Sequence, residues 1–394
     1  LPDWETLPYD TFSPHQDLVS ERLATLYQLT SGACDVLIAP VTTVLYRLPP
    51  REYLAAHTFF LKRGETLNLN ALRSQMTLAG YTHVTQVLSP GEYSVRGGLV
   101  DLFPMGSPLP YRIDLLDNEI ETIRTFDVDT QRSVYPVTEI RLLPAREFPL
   151  DEEGRTRFRG SFREKFEGDP SKSRVYKDIS KGGTPAGIEY YLPLFFERTA
   201  TLFDYLPQTT LLCLHDEIHP AAENFWRDTQ SRYLLLRGDN DRPLLPPVEL
   251  FLTTEAFFGA LKPYPRIEIQ GDGQNSKVGT QDLYRALPPL QIDRRADNPA
   301  EKLAAFVAQF ASEFESSGGR ILLLAESLGR RELIADHLRQ CGLNPSICDD
   351  YAQFRAGAAT FMLGVGPLHN GFIFLGEGIA FVTESELYAR HLHG

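Results

Sequence analysis

Residues 91–103 read Gly91-Glu92-Tyr93-Ser94-Val95-Arg96-Gly97-Gly98-Leu99-Val100-Asp101-Leu102-Phe103. Residues 111–126 follow as Tyr111-Arg112-Ile113-Asp114-Leu115-Leu116-Asp117-Asn118-Glu119-Ile120-Glu121-Thr122-Ile123-Arg124-Thr125-Phe126. Short alternating runs of this kind describe strands with one buried face. Asp117-Asn118 separates Tyr111–Leu116 from Glu119–Phe126 as a turn. Val84–Leu88 and Glu139–Leu143 add further strands, and Ser89-Pro90-Gly91 a further turn. Tyr93–Phe103 reads as one strand in which Gly97-Gly98 marks a bulge or a close backbone approach. One helix, Asn68 to Leu78, stops at Gly80. Residues 58–146 are thus expected to be an inserted α+β domain with an antiparallel sheet.

The flanking sequence has another character. Ser13-Pro14-His15-Gln16 predicts a helix start capped by Ser13, with Val19, Leu23, Leu26 and Tyr27 on one apolar stripe. Asp35–Pro40 is uniformly apolar at Val36–Ala39 and predicts a strand of a parallel sheet covered on both faces. Thr209–Leu214 predicts a second buried strand. Residues 266–298, rich in Gly, Asp and Gln, read as a linker. Beyond it, Asn298-Pro299-Ala300-Glu301 suggests a capping box for a helix carrying Leu303, Phe306, Val307 and Phe310. Arg320–Ala325, Ser327–Cys341 and Ile379–Thr383 then give strand, helix and strand of a small α/β domain.

The chain has 394 residues and a formal net charge of −13. Residues 58–146 carry 9 basic and 10 acidic side chains, while residues 147–265 carry 15 and 19. No segment is the basic body expected of a dedicated DNA binder, so a protein partner is the default. No apolar run approaches the roughly 18 residues of a membrane span, and no membrane partner is expected. The four cysteines, Cys34, Cys213, Cys341 and Cys348, match no usual zinc spacing and read as buried thiols in a reducing cytoplasm.

Motifs for chemistry are sparse. Lys181-Gly182-Gly183-Thr184 lacks the upstream glycine of a phosphate loop and reads as a turn. Asp216-Glu217-Ile218-His219 follows a strand, where nucleotide hydrolases place a metal-binding Asp and a water-orienting Glu. A polar turn gives the same letters. The basic run from Arg155 to Lys181, including Arg157 and Arg159, is interleaved with acids and reads as a solvated helix face. The nine histidines are scattered, His391 and His393 in the terminal tail. Arg96 and Arg112 remain, each in a strand, where arginines serve as interface anchors or as surface partners of acids.

Several runs together resemble one family. They are Asp3-Trp4-Glu5-Thr6-Leu7-Pro8-Tyr9-Asp10 with Ser13-Pro14-His15; Gly91-Glu92-Tyr93 through Arg96–Pro104; Tyr111-Arg112-Ile113-Asp114; and Pro185-Ala186-Gly187-Ile188-Glu189-Tyr190. From Leu1 to about residue 390 the chain resembles the front region of the bacterial transcription-repair coupling factors (Mfd), which in turn resembles the excision-repair protein UvrB. The resemblance implies an α/β fold: a degenerate helicase-like parallel-sheet domain (1–57 and 147–265), interrupted by a UvrB-type domain 2 (58–146). A linker (266–298) and a small C-terminal α/β domain (299–394) complete it.

The same resemblance implies a non-catalytic, cytoplasmic adaptor in nucleotide excision repair, recruiting UvrA to stalled RNA polymerase. The phosphate loop of the UvrB-like domain would precede Leu1. The polymerase-binding domain and the DNA translocase, with its ATP and magnesium, would follow Gly394. No cofactor is implied for this stretch, and Asp216, Glu217 and His219 become a relic of the hydrolase motif. Arg96 and Arg112 match the two arginines of the UvrA-binding surface. Leu116 falls on a third position, aromatic in some members. On adjacent strands, and little screened by acids, the two guanidiniums would pair with carboxylates across an interface. The family's C-terminal domain would cover this surface until activation. Two alternatives stay open: a nucleotide hydrolase using Asp216 and Glu217, or a DNA-binding module using the basic run.

Overall fold

Ile113, Ile120 and Ile123 are buried between exposed or half-buried neighbours, as a sheet packed on one face requires, whereas Val100–Phe103 is buried throughout. The computed structural model describes residues 1–269, 283–314 and 318–388 and divides into two units, Leu1–Asp272 and Gly273–Gly394. The fold is mixed α/β.

In the first unit, β1 (Phe59–Lys62) pairs antiparallel with β8 (Glu139–Leu142), Phe59 facing Leu142. Entry to and exit from the inserted segment are therefore held together. Between them lies a six-stranded sheet in chain order: β2 (Thr82–His83), β3 (Glu92–Arg96), β4 (Leu99–Leu102), β5 (Tyr111–Leu116), β6 (Glu119–Phe126) and β7 (Ser133–Val137). β2 runs parallel to β3 and every other neighbour is antiparallel. Tyr93, Val100, Leu102, Ile113 and Ile123 point to one face. There they join Leu72 and Met76 of the helix Leu69–Leu78, which Asn68 caps. Each such side chain contributes about 1.5–3 kcal/mol on burial.

Two turns set the strand limits. Asp117 and Asn118 take φ of 48° and 69°, the left-handed pair that a two-residue hairpin requires. Gly97-Gly98 closes a second hairpin, with Arg96 facing Leu99 and Gly97 at φ 59°. The single strand expected over Tyr93–Phe103 is therefore two. Val84–Leu88 forms no strand; only Thr82–His83 pairs there.

The rest of this unit departs further from expectation. Asp35–Pro40 is not a strand, and Val36 and Ile38 are each 81% exposed. An apolar run becomes a strand only where a neighbour supplies the ladder, and among the described residues none lies beside it. β9 (Leu212–His215) alternates between half-buried and exposed instead of being buried throughout. Its parallel partner β10 (Arg266–Ile269) falls where a linker was expected. The helix Gln16–Ser31 buries Val19, Leu23 and Leu26 as expected, but His15 is its cap. Ser13 instead donates to Glu189 Oε2 at 2.9 Å and accepts the Gly187 N–H at 3.1 Å.

The exit from the inserted segment is fixed by buried polar bonds. Arg22 Nε donates to Glu147 Oε1 at 2.8 Å, the two side chains 1% and 3% exposed. Trp4 Nε1 donates to Glu147 Oε2 at 2.9 Å. Tyr53 Oη donates to the Arg146 carbonyl, and Arg146 reaches Glu189. Around them Trp4, Tyr9, Phe148, Phe158, Tyr190, Tyr191 and Phe195 form an aromatic core.

In the second unit one mixed sheet runs β11 (Tyr284–Arg285), β15 (Phe372–Phe374), β16 (Ile379–Thr383), β12 (Arg320–Ala325), β14 (Phe361–Val365), β13 (Ser346–Ile347). β12, β13, β14 and β16 are parallel, whereas β15 pairs antiparallel with both of its neighbours, β16 and β11. The central β12 is apolar on both faces. Ile321, Leu323 and Ala325 share a core with the helices Glu301–Glu313 and Leu328–Gln340, while Leu322 meets Phe354 and Met362. Glu301–Glu313 begins at Ala300 without a side-chain cap, so the expected capping box is not formed.

Of the four cysteines only Cys348 is buried. Cys34 and Cys341 are half-buried, and Cys213 is exposed because it points to the open face of β9. Among the described residues no helix is long and apolar enough to cross a membrane. His391 and His393 lie outside the described residues.

Candidate functional site: an arginine face on the inserted sheet

Opposite the helix-packed face, side chains from five strands form two lateral rows. Ser94, Asp101, Arg112, Arg124 and Pro136 face one another in register across β3 to β7. The next row holds Arg96, Leu99, Asp114 and Thr122. Cross-strand partners share a face, so these side chains are neighbours by construction.

Asp101 is the hub. Its carboxylate is buried, and it accepts Arg112 Nε–H at 2.8 Å and Arg112 Nη2–H at 3.0 Å. Arg96 Nη2 reaches the same carboxylate at 3.1 Å. A buried carboxylate needs such partners, because desolvating it alone is costly. Arg112 Nη1 also donates to the Gln131 carbonyl at 2.9 Å, and its guanidinium lies 4.7 Å from the Phe126 ring centroid. Asp101 bonding raises the Arg112 pKa above its ordinary value, against the opposing effect of burial.

Exposure then separates the two arginines. The Arg96 side chain is 57% exposed and the Arg112 side chain only 17%. Arg96 thus offers its remaining donors outward, while Arg112 is held flat in the face. They do not stand on adjacent strands, as expected, but on β3 and β5 with β4 between them. Nor are they free of acids, since both share Asp101. Leu116 is 59% exposed and lies on the same side of β5 as Arg112 and Asp114. A register slip sets this: Ile113 faces Ile123 but Leu115 faces Ile120. Glu121 is the extra residue, so both isoleucines stay in the core and Leu116 points out.

The other candidate residues are not gathered into a site. Asp216 adopts φ 59° at the end of β9, and its side chain is 60% exposed beside His215 at 3.0 Å. Glu217 is exposed at the start of the helix Ile218–Leu236. His219 stacks on Phe258 at 4.5 Å and contacts Glu223 at 3.3 Å. In the basic run, Arg155 donates to the carbonyls of Leu150, Ile179 and Gly183. Arg159 pairs with Glu152, Lys165 with Glu249 and Arg174 with Asp241, while Arg163 donates to Tyr176. These cations brace the helix Glu152–Lys165 and its surroundings; Arg157 remains exposed.

Sequence reasoning missed two members of the arginine face. Asp101 sits between Val100 and Leu102 in an apolar strand, a position where a carboxylate signals a buried partner. Arg124 recurs on the same alternation as Thr122 and Phe126, and it is exposed.

Comparison with known proteins finds two matching domain families. The family described as "UvrB interaction domain" matches residues 59–148, and "MFD, D3 domain" matches residues 310–387. The chain is 41% identical over 396 residues to the transcription-repair-coupling factor of Escherichia coli (strain K12), covering 100% of this chain and 34% of that protein. That of Haemophilus influenzae is also 41% identical, over 397 residues, with the same shares covered. That of Bacillus subtilis (strain 168) is 32% identical over 228 residues, 54% of this chain and 19% of that protein. The chain spans about a third of the length of the first two. The chain is thus similar along its whole length to the transcription-repair-coupling factors of Escherichia coli and Haemophilus influenzae, with both domain matches inside it.

Proposed function

We propose that this chain is a non-catalytic adaptor that docks UvrA through the arginine face of its inserted sheet. The observation that carries the reading is the placement of Arg96 and Leu116, both exposed, on one face with Arg112 fixed between β4 and β6 by Asp101. A charged anchor beside an apolar contact suits a partner surface that mixes carboxylates with an apolar patch. The domain bearing them is the one matched as a UvrB interaction domain. In this reading the first unit is a degenerate helicase-like body interrupted by a UvrB-type domain 2, and its task is to present that domain.

The hydrolase alternative finds less support. Asp216 and Glu217 lie on the surface, and the sequence has no phosphate-loop motif to bring them a nucleotide. Contacts with RNA polymerase and DNA, and the ATP and magnesium of a translocase, are assigned to parts of the protein outside this chain. So is the C-terminal domain that would cover the arginine face, and the setting is cytoplasmic.

Gel filtration of the chain with purified UvrA tests the reading. Co-migration is expected, and Arg96→Glu should abolish it in a folded protein. Undiminished co-migration of that variant would refute the assignment.

A further inference from the structure

The row across β4, β5 and β6 contains an apparent fault. Arg112 and Arg124 are direct cross-strand partners, and like charges placed so destabilise a sheet. Asp101 compensates only one of them. Arg124 is exposed, and among the described residues it has neither a hydrogen-bond nor an ion-pair partner for its side chain. Its neighbours Ile123 and Thr125 are buried on the opposite side, so Arg124 is directed outward beside Arg112.

Resting on the docking reading above, we propose that Arg124 is a third anchor, and that the UvrA surface carries a second carboxylate to meet it. Arg112 commits three of its five N–H donors, one each on Nε, Nη1 and Nη2, to Asp101 and Gln131 and is mostly buried. The exposed guanidiniums flank it, Arg96 on β3 and Arg124 on β6. One partner carboxylate compensates the charge that the sheet leaves open at Arg124, and another engages Arg96. Arg112 acts as the positioning residue between them. Arginine suits both outer places because its planar fork binds a carboxylate through two parallel N–H bonds.

Calorimetry of the chain with purified UvrA at two salt concentrations, on wild type, Arg96→Gln and Arg124→Gln, tests this. Arg124→Gln should weaken binding at least tenfold and flatten its salt dependence. Its urea unfolding midpoint should stay level or rise, because a like-charge contact is removed. Weakened binding by Arg96→Gln with wild-type affinity in Arg124→Gln would overturn the inference alone. So would an unfolding midpoint lowered by Arg124→Gln, which would mark a structural residue. Absence of binding by the wild type, or wild-type affinity in both variants, would overturn the docking reading and this inference with it.

Discussion

Asp101 and Arg112 face each other in register on neighbouring strands and are joined by two hydrogen bonds of 2.8 and 3.0 Å, the carboxylate buried and the guanidinium nearly so. Two N–H donors on two carboxylate oxygens form a fork that fixes both side chains. The pair gives the sheet an outward face with defined cations, where a lone arginine would sweep through many rotamers.

Asp101→Asn keeps the shape but removes the carboxylate charge that pairs with both Arg112 and Arg96. A loss of about 2–3 kcal/mol is expected, below the roughly 3–5 kcal/mol of a fully buried broken pair because Arg112 keeps some contact with water. Urea denaturation measures it. A change within about 0.5 kcal/mol would show that the carboxylate does not hold the face together.

Arg96 and Arg112 should separate in stability assays. Arg112→Ala strips Asp101 of two bonds and the Phe126 ring of its cation, and should cost about 2 kcal/mol or more. Arg96→Ala removes a mostly exposed group and should cost under about 1 kcal/mol. Equal losses in parallel unfolding curves would contradict the division of roles.

The anchor under the inserted segment is a second point of attack. Glu147 accepts from Arg22 and from Trp4, all three buried. Glu147→Ala leaves a buried guanidinium unpaired and should destabilise the first unit by about 3–5 kcal/mol. Trp4 fluorescence should change with it. Unaltered emission and stability would mean that this bond network is dispensable.

Glu189 links pH to stability. Burial chiefly raises its pKa above the ordinary glutamate value of 4.5, although its own backbone N–H, Arg146 and Ser13 oppose the shift. The native state then holds the proton more tightly than the unfolded chain. Stability from this group is therefore lost as pH rises from about 4.5 through the raised native value. Glu189→Gln, which preserves size and an acceptor for Ser13, should flatten that decline in urea midpoints collected across the range. Parallel curves would show that burial does not govern this ionisation.

The inserted sheet was legible because alternation and turns report local physics. Tyr111–Leu116, Asp117-Asn118 and Glu119–Phe126 appear as read, since a Asp-Asn pair tolerates left-handed backbone and the isoleucines need a core. Asp35–Pro40 misled because hydrophobicity shows what would be buried, not whether a neighbouring strand is there to bury it. Ser13 looked like a cap, yet its hydroxyl serves Glu189, a bond spanning 176 positions that no local motif encodes. Arg96 and Arg112 were found through family likeness. That they share Asp101 across β4 depends on register, and a one-residue slip would have sent the carboxylate to the other face.

The most direct measurement is calorimetric affinity for purified UvrA of the wild-type chain against Arg96→Glu combined with Leu116→Glu, with Arg157→Glu as a control distant in sequence. Both sheet positions are exposed, so the double variant should stay folded by circular dichroism. The account predicts wild-type binding, a control equal to wild type, and a loss of at least a hundredfold in the double variant. Binding by the double variant within twofold of wild type would contradict it.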